Sequence, residues 1–376
     1  MRISLLLLFS CCISVLCAQT AIDNHDDEIM NMKGKWSRGE NLNDGLDKDL
    51  PVSQNVQLYK RIDSLLALLK TAYPNPIGLE AIQYSSIRQR PIGTGTPSAY
   101  SHTSLYKSYF YSPVLKKMLL DEETHTWLNM HVNYFGWFLE NRFGRYVVDN
   151  KEVTVFALME RDGTWNGYPL FKKYRGRSER AVVISRDGEL PYIPITQKQF
   201  LTFLRKDIEA LRKKFLKSDS GYHSYLLKQI ETARTGKHAN EAAREKAIKT
   251  AEYYYEEYKK RRATRGPLEE AEYLNKLKNI DDYLASHTEA EMAQPVKTPS
   301  MGDFNGNFES RGKNGKLYEL VRINFAYFKK ELPRYVPQFF VLYWTWDDTN
   351  NAPAAEFKRQ LEENFPIKRL KALLDK

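Results

Sequence analysis

The feature that most constrains this chain is a change of hydrophobic period at Thr196. Before it, apolar and polar residues alternate in short runs; after it, apolar residues recur every three or four positions. A period of two belongs to a half-buried strand and a period of 3.6 to an amphipathic helix, so the chain must hold both a sheet and a helical block. "TQKQ" marks the boundary as a capping box, with the Thr196 hydroxyl placed to accept from the third helical N–H and Gln199 placed to reach back.

The strand-like runs upstream are "GLEAIQYSSIR", "TSLYKSYFY", "HTWLNMHVNYFGWFL", "EVTVFALME", "ERAVVIS" and "ELPYIPI". Their close spacing, with turns at Asp162-Gly163 and Asp187-Gly188, predicts an antiparallel sheet rather than βαβ units. A helix should pack on that sheet: Leu58, Ile62, Leu65, Leu66 and Leu69 share one face of a segment that Ser53 can cap and that Pro74 and Pro76 end.

Downstream, Phe200, Leu204, Ile208, Leu211 and Phe215 open a helical insertion of several segments, about 197–286. Its further stripes are Tyr222, Leu226 and Ile230; then Ala243, Ala247, Ala251, Tyr254 and Tyr258; then Tyr273, Leu277, Ile280 and Leu284. The Gly- or Pro-bearing stretches "SDSGYH", "RTGKH" and "RGP" are expected to separate them. Strands return in "KLYELVRINFAYF" and "PQFFVLYWTW", and "APAAEFKRQLEENF" reads as a last helix. The expected fold class is therefore α+β: a body built from 53–196 plus 315–376, whose antiparallel sheet is packed by helices, with a helical insertion at 197–290 and a flexible loop at 291–314.

The N-terminus carries Arg2, an apolar run from Ile3 to Leu16 and then Ala18, which is the pattern of a secretory signal peptide over residues 1–18. The run falls short of the about 20 apolar residues that a spanning helix needs, and no later stretch approaches that length. Cleavage there implies a secreted or periplasmic protein; a lipoprotein box ending at Cys11 is the weaker alternative. Residues 19–52 are polar without a sustained period and read as a mobile leader. Cys11, Cys12 and Cys17 all fall inside the signal segment, so a chain cleaved after it has no disulfide, thiolate ligand or cysteine nucleophile.

Read as a strand, "HTWLNMHVNYFGWFL" puts Leu128, Met130 and Val132 on one face and Trp127, Asn129, His131 and Asn133 on the other. The second set is a ligand-binding candidate, because a few polar groups between aromatics furnish a cleft over a sheet. The same residues also suit a covered face on which Asn and His satisfy backbone groups. His125 and His131 lie six residues apart, some 20 Å along a strand, which is too far for one ion. "DGTWNG" resembles the start of a calcium loop but has Lys173 where the twelfth-position acid belongs. No metal site and no cofactor are read from the sequence.

The net charge is +10, and Gln197 to Ser286 holds 20 Lys and Arg against 14 Asp and Glu. Lys259, Lys260, Arg261, Arg262 and Arg265 follow a run of tyrosines and are candidates for polyanion contact. Glu252, Glu256 and Glu257 between them disfavour nucleic acid, and basic residues ahead of Gly266-Pro267 also suit a helix C-terminus. The expectation is a non-enzymatic binding or interaction protein of the cell envelope or extracellular space, meeting a protein partner or an acidic envelope component through the basic insertion. The alternative is a secreted hydrolase of a glycan or peptide with its cleft on the His131 face.

Overall fold

The computed structural model describes residues 25–39, 51–88, 97–139, 142–173, 178–299, 304–308, 317–349 and 351–376. The signal segment 1–18 with its cysteines lies outside the described residues. In chain order the first elements are α1 (Asp26–Asn31), β1 (Trp36–Arg38), α2 (Val52–Ala72), β2 (Leu79–Arg88), β3 (Ala99–Ser112), β4 (Lys117–Leu120) and β5 (Thr126–Val132). Next come β6 (Arg142–Val148), β7 (Lys151–Ala157), β8 (Glu160–Trp165), β9 (Tyr168–Lys172), β10 (Glu179–Ile184) and β11 (Tyr192–Pro194). Then follow α3 (Gln197–Thr235), α4 (Glu241–Ser286), α5 (Glu289–Met292), β12 (Lys297–Thr298), β13 (Tyr318–Ile323), β14 (Phe340–Thr345), α6 (Ala352–Asn364) and α7 (Ile367–Lys371). The fold is α+β with a helical insertion, and the chain divides into two compact units.

The first unit comprises Met1–Phe138, Arg161–Pro191 and Phe325–Lys376. Its sheet runs β1-β2-β3-β5-β14-β10-β9-β8, with β4 added on β3. The pairs from β2 to β9 are antiparallel, whereas β1 lies parallel to β2 with Trp36 opposite Ala81. The leader is thus not wholly mobile: within residues 25–39 Ile29 is buried, and the Trp36 indole donates to the Tyr73 carbonyl at 3.0 Å and sets its ring against Tyr106. Two isolated apolar anchors suffice, and neither produces a period. One face of the sheet is covered by α2 and α6, where Leu58, Ile62, Leu65 and Phe357 meet Leu128, Met130 and Trp344. Ser53 does not cap α2, which starts at Val52 behind Pro51 without a side-chain cap. The sharp hairpin sits at Asn166 (φ 51°) and Gly167 (φ 84°), between β8 and β9, rather than at Asp162-Gly163. Asn-Gly meets the demand of a type I′ turn for positive φ at both central residues, and Asp162 instead pairs with Arg180 at 2.8 Å.

The second unit comprises Leu139–Glu160 and Tyr192–Asn324. It has its own sheet, β11-β13-β7-β6 with β12 on β13, and the helical block packs on that sheet. Phe200, Leu204 and Ile208 of α3 and Ile280 of α4 pack there with Val155 and Leu320. The segment expected as a flexible loop contributes Val296, Thr298 and Phe304, all buried.

The capping box forms as the sequence suggests: Gln199 N donates to Thr196 Oγ1 and Thr196 N to Gln199 Oε1, both at 3.2 Å. Two of the expected breaks do not. α3 continues through Gly221, and α4 continues through Gly266 and Pro267. Pro267 forfeits one helical hydrogen bond, a cost of about 3 kcal/mol in an isolated helix. Here the two helices lie antiparallel and are pinned along their length by Arg205–Asp281, Arg212–Glu270, Arg262–Asp219 and Arg234–Glu252. Only "RTGKH" turns the chain, with Asn240 Oδ1 accepting from Ala243 N at 2.8 Å to start α4.

Candidate functional site

The strand β5 brings Trp127, Asn129 and His131 onto one face, next to Thr103 and Ser101 of β3 and Tyr343 and Val341 of β14. That face is occupied by the protein itself. The strand ends at Val132 and Asn133 takes a left-handed φ of 53°, which turns the chain back over the sheet. Gly136, at φ 55°, then lies on the His131 ring: a Cβ there would stand 2.4 Å from Nε2. Tyr134 meets the same ring edge-on, and His131 is left 5% exposed. Asn129 accepts from the Thr103 hydroxyl, and Trp127 stacks on Tyr343, whose hydroxyl donates to Glu179 at 2.6 Å.

Asn133 has its polar capacity consumed by backbone. Its Nδ2 donates to the carbonyls of Ser98 (3.2 Å) and Val336 (3.0 Å), and its Oδ1 accepts from Gln338 N (2.7 Å) and Phe339 N (3.4 Å). An amide has two donors and two acceptor sites, so none remains for a ligand. Asn133 is a clamp on the loop that leads into β14.

A second polar cluster, on the opposite face, is invisible to the sequence pattern. His102, opposite Met130 in the sheet, is fully buried, with Ser85 Oγ 3.3 Å from Nδ1 and Ser104 Oγ 3.4 Å from Nε2. Burial, aided by the Arg38 charge, pushes the His102 pKa down to about 3. The ring is neutral at neutral pH. Serine beside histidine suggests nucleophile chemistry, but all three side chains are buried in the packed core, so the arrangement serves hydrogen-bond satisfaction. Asp347, at a strand end, behaves similarly: burial opposes its charge, yet bonds from Thr349 and Asn351 outweigh that and hold its carboxyl below the usual range.

The basic candidates are on the helical hairpin, but not at a helix end. They sit in mid-α4, where Lys259 pairs with Glu256, Lys260 with Glu257 and Arg262 with Asp219; Arg261 and Arg265 are exposed. A helix-dipole role for them falls away with the continuity of α4.

Nearer the turn the same hairpin opens a groove of ≈ 770 Å³ between α3 and α4. Leu226 and Ala233 of α3 and Ala243, Ala247 and Ala251 of α4 line it between the tyrosines 222, 225 and 254. Tyr222 is 50% exposed, Tyr225 54% and Tyr254 58%. A shallower concavity continues past Lys246, Lys249 and Tyr253. Sequence reading found both stripes as helix faces. It did not show that they open onto one groove, because each stripe alone has the spacing of a core face.

Among the described residues no cluster of His, Cys, Asp or Glu has the arrangement to hold a metal ion, and no helix is long and apolar enough to cross a membrane. Comparison with family models, curated proteins and solved structures finds no match to this chain.

Proposed function

We propose that the protein is an exported, non-enzymatic binding protein that meets a partner through the distal part of the α3/α4 hairpin. The observation that carries this reading is the tyrosine-walled groove, where large apolar side chains stay exposed side by side. Exposed aromatic clusters rimmed by polar residues mark interaction surfaces, and tyrosine is enriched in such contacts. Export is supported by the pattern of residues 1–18, and the basic excess of the hairpin supports an acidic partner surface. The hydrolase alternative drew on the His131 face, and the burial of His131 and the engagement of Asn133 weaken it.

The test is site-specific photocrosslinking. A benzophenone side chain replaces Tyr254 in one full-length preparation and Trp127 in another, each exposed to an envelope extract of cells that make the protein. A discrete adduct formed from position 254, absent from position 127 and competed away by unlabelled protein is expected. Adducts from position 127 alone, or none from position 254, would overturn the reading.

A further inference from the structure

The spacing and the lining of the groove select its occupant. Along α3 its wall repeats at Tyr222, Leu226, Gln229 and Ala233; along α4 it repeats at Ala243, Ala247, Thr250 and Tyr254. Both series have spacings of four, three and four, the periodicity with which a helix presents one stripe to a helical neighbour. An extended peptide would need hydrogen-bond partners for every backbone N–H and C=O, and the groove offers an alanine floor with only the scattered side chains of Gln229, Thr232, His238, Lys246 and Thr250 instead of a strand edge. A helix satisfies its own backbone and brings only side chains. The wall runs eleven helical steps from Tyr222 to Ala233, which at helical rise is about 17 Å, or three turns.

Charge decides the polar edges of that helix. Lys246 lines both concavities and Lys249 the shallower one, both are exposed, and neither has an ion-pair partner among the described residues. Close by, Arg244 and Arg234 are each already paired, with Glu241 and Glu252. One carboxylate, Glu245, lies on the same rim, so the groove edge keeps a positive excess. A second copy of this chain would bring another basic hairpin and be repelled; a helix flanked by carboxylates would be attracted.

We propose that the groove docks an amphipathic helix of a partner protein, about three turns long, with a Leu/Ala stripe against the alanine floor and Glu or Asp against Lys246 and Lys249. The proposal rests on the reading that the distal hairpin is the docking surface, and it specifies the partner's chemistry.

Two fluorescent probe peptides of about 18 residues test it, identical in their Leu/Ala stripe, one carrying Glu along the flanks and the other Lys. Each is titrated into the full-length protein and followed by anisotropy, with sedimentation run alongside. Saturable binding of the Glu probe is expected, about tenfold tighter than the Lys probe at low salt and converging with it at high salt. Lys246→Glu with Lys249→Glu should reverse the preference. Ala247→Trp, which fills the groove, and Tyr254→Ser, which removes a wall, should each abolish binding with the melting temperature unchanged. Equal binding of the two probes, no binding of either, survival of binding in both groove variants, or a dimer that Ala247→Trp dissolves would overturn the proposal. If the probes fail while position 254 still crosslinks a partner, the docking surface stands and only the acidic helix is wrong. If both fail, both readings fall.

Discussion

The face of β5 and the groove of the hairpin invert the ordinary placement of side chains in opposite directions. On β5 and just past its end, Asn129, His131 and Asn133 are polar and buried; on the hairpin, Tyr222, Tyr225 and Tyr254 are aromatic and exposed. The polar residues are covered because the fold consumes them: Asn133 bonds four backbone groups and Gly136 closes over His131. The tyrosines are open because α3 and α4 use other residues, Leu226, Ile230 and Ala233 among them, to bury their shared seam. Buried polarity therefore marks construction here and exposed apolarity marks spare capacity, although the sequence made the first region look the more functional.

That contrast can be broken by mutation, and the largest effect belongs to Asn133. Asn133→Ala strands up to four buried backbone groups and places alanine at positive φ, so it should cost about 4 kcal/mol, read as a lowered urea midpoint. A loss near zero would mean the clamp is dispensable and would reopen Asn133 to a ligand role. Gly136→Ala comes next, at about 2–3 kcal/mol, from left-handed strain plus contact with the imidazole. Combined with His131→Ala it should cost less than the two single changes together, and strict additivity would show that Gly136 does not cover the ring.

The third effect is one of pH. The folded pKa of His102 lies near 3 and the ordinary value is 6.5, so its contribution to stability is complete above about pH 6.5 and is lost as pH falls toward 3. Between pH 7 and 5 the loss should be about 2 kcal/mol, and His102→Gln should flatten that slope. A wild-type slope that survives the substitution would place its origin elsewhere. The smallest effect sharpens the other side of the comparison: Tyr222→Ser and Tyr254→Ser should shift stability by less than about 0.5 kcal/mol in thermal melts. A large fall would make those tyrosines structural.

The period switch at Thr196, the capping box and the strand runs were legible because each rests on local spacing. What escaped was everything decided by distant partners. Gly221 and Pro267 look like stops, yet packing between α3 and α4 carries both helices through them. β7 alternates as β5 does, and only pairing assigns it to the second sheet, while β6, Arg142–Val148, has no clean alternation and does not read as a strand. At the site, alternation correctly separated Met130 from His131 but says nothing about a cover made by a glycine four residues beyond the strand's end. The Asn166-Gly167 turn was readable and was overshadowed by the nearby Asp-Gly pair.

The unbroken course of α3 has a mechanical consequence. From Gln197, where the helix leaves its sheet, to Tyr222 is twenty-five residues, about 38 Å of continuous rod. A rotation of about 5° at the capping box would sweep the groove sideways by about 3 Å over that radius. Anything gripping those tyrosines pulls with leverage on Thr196 and the strand just before it.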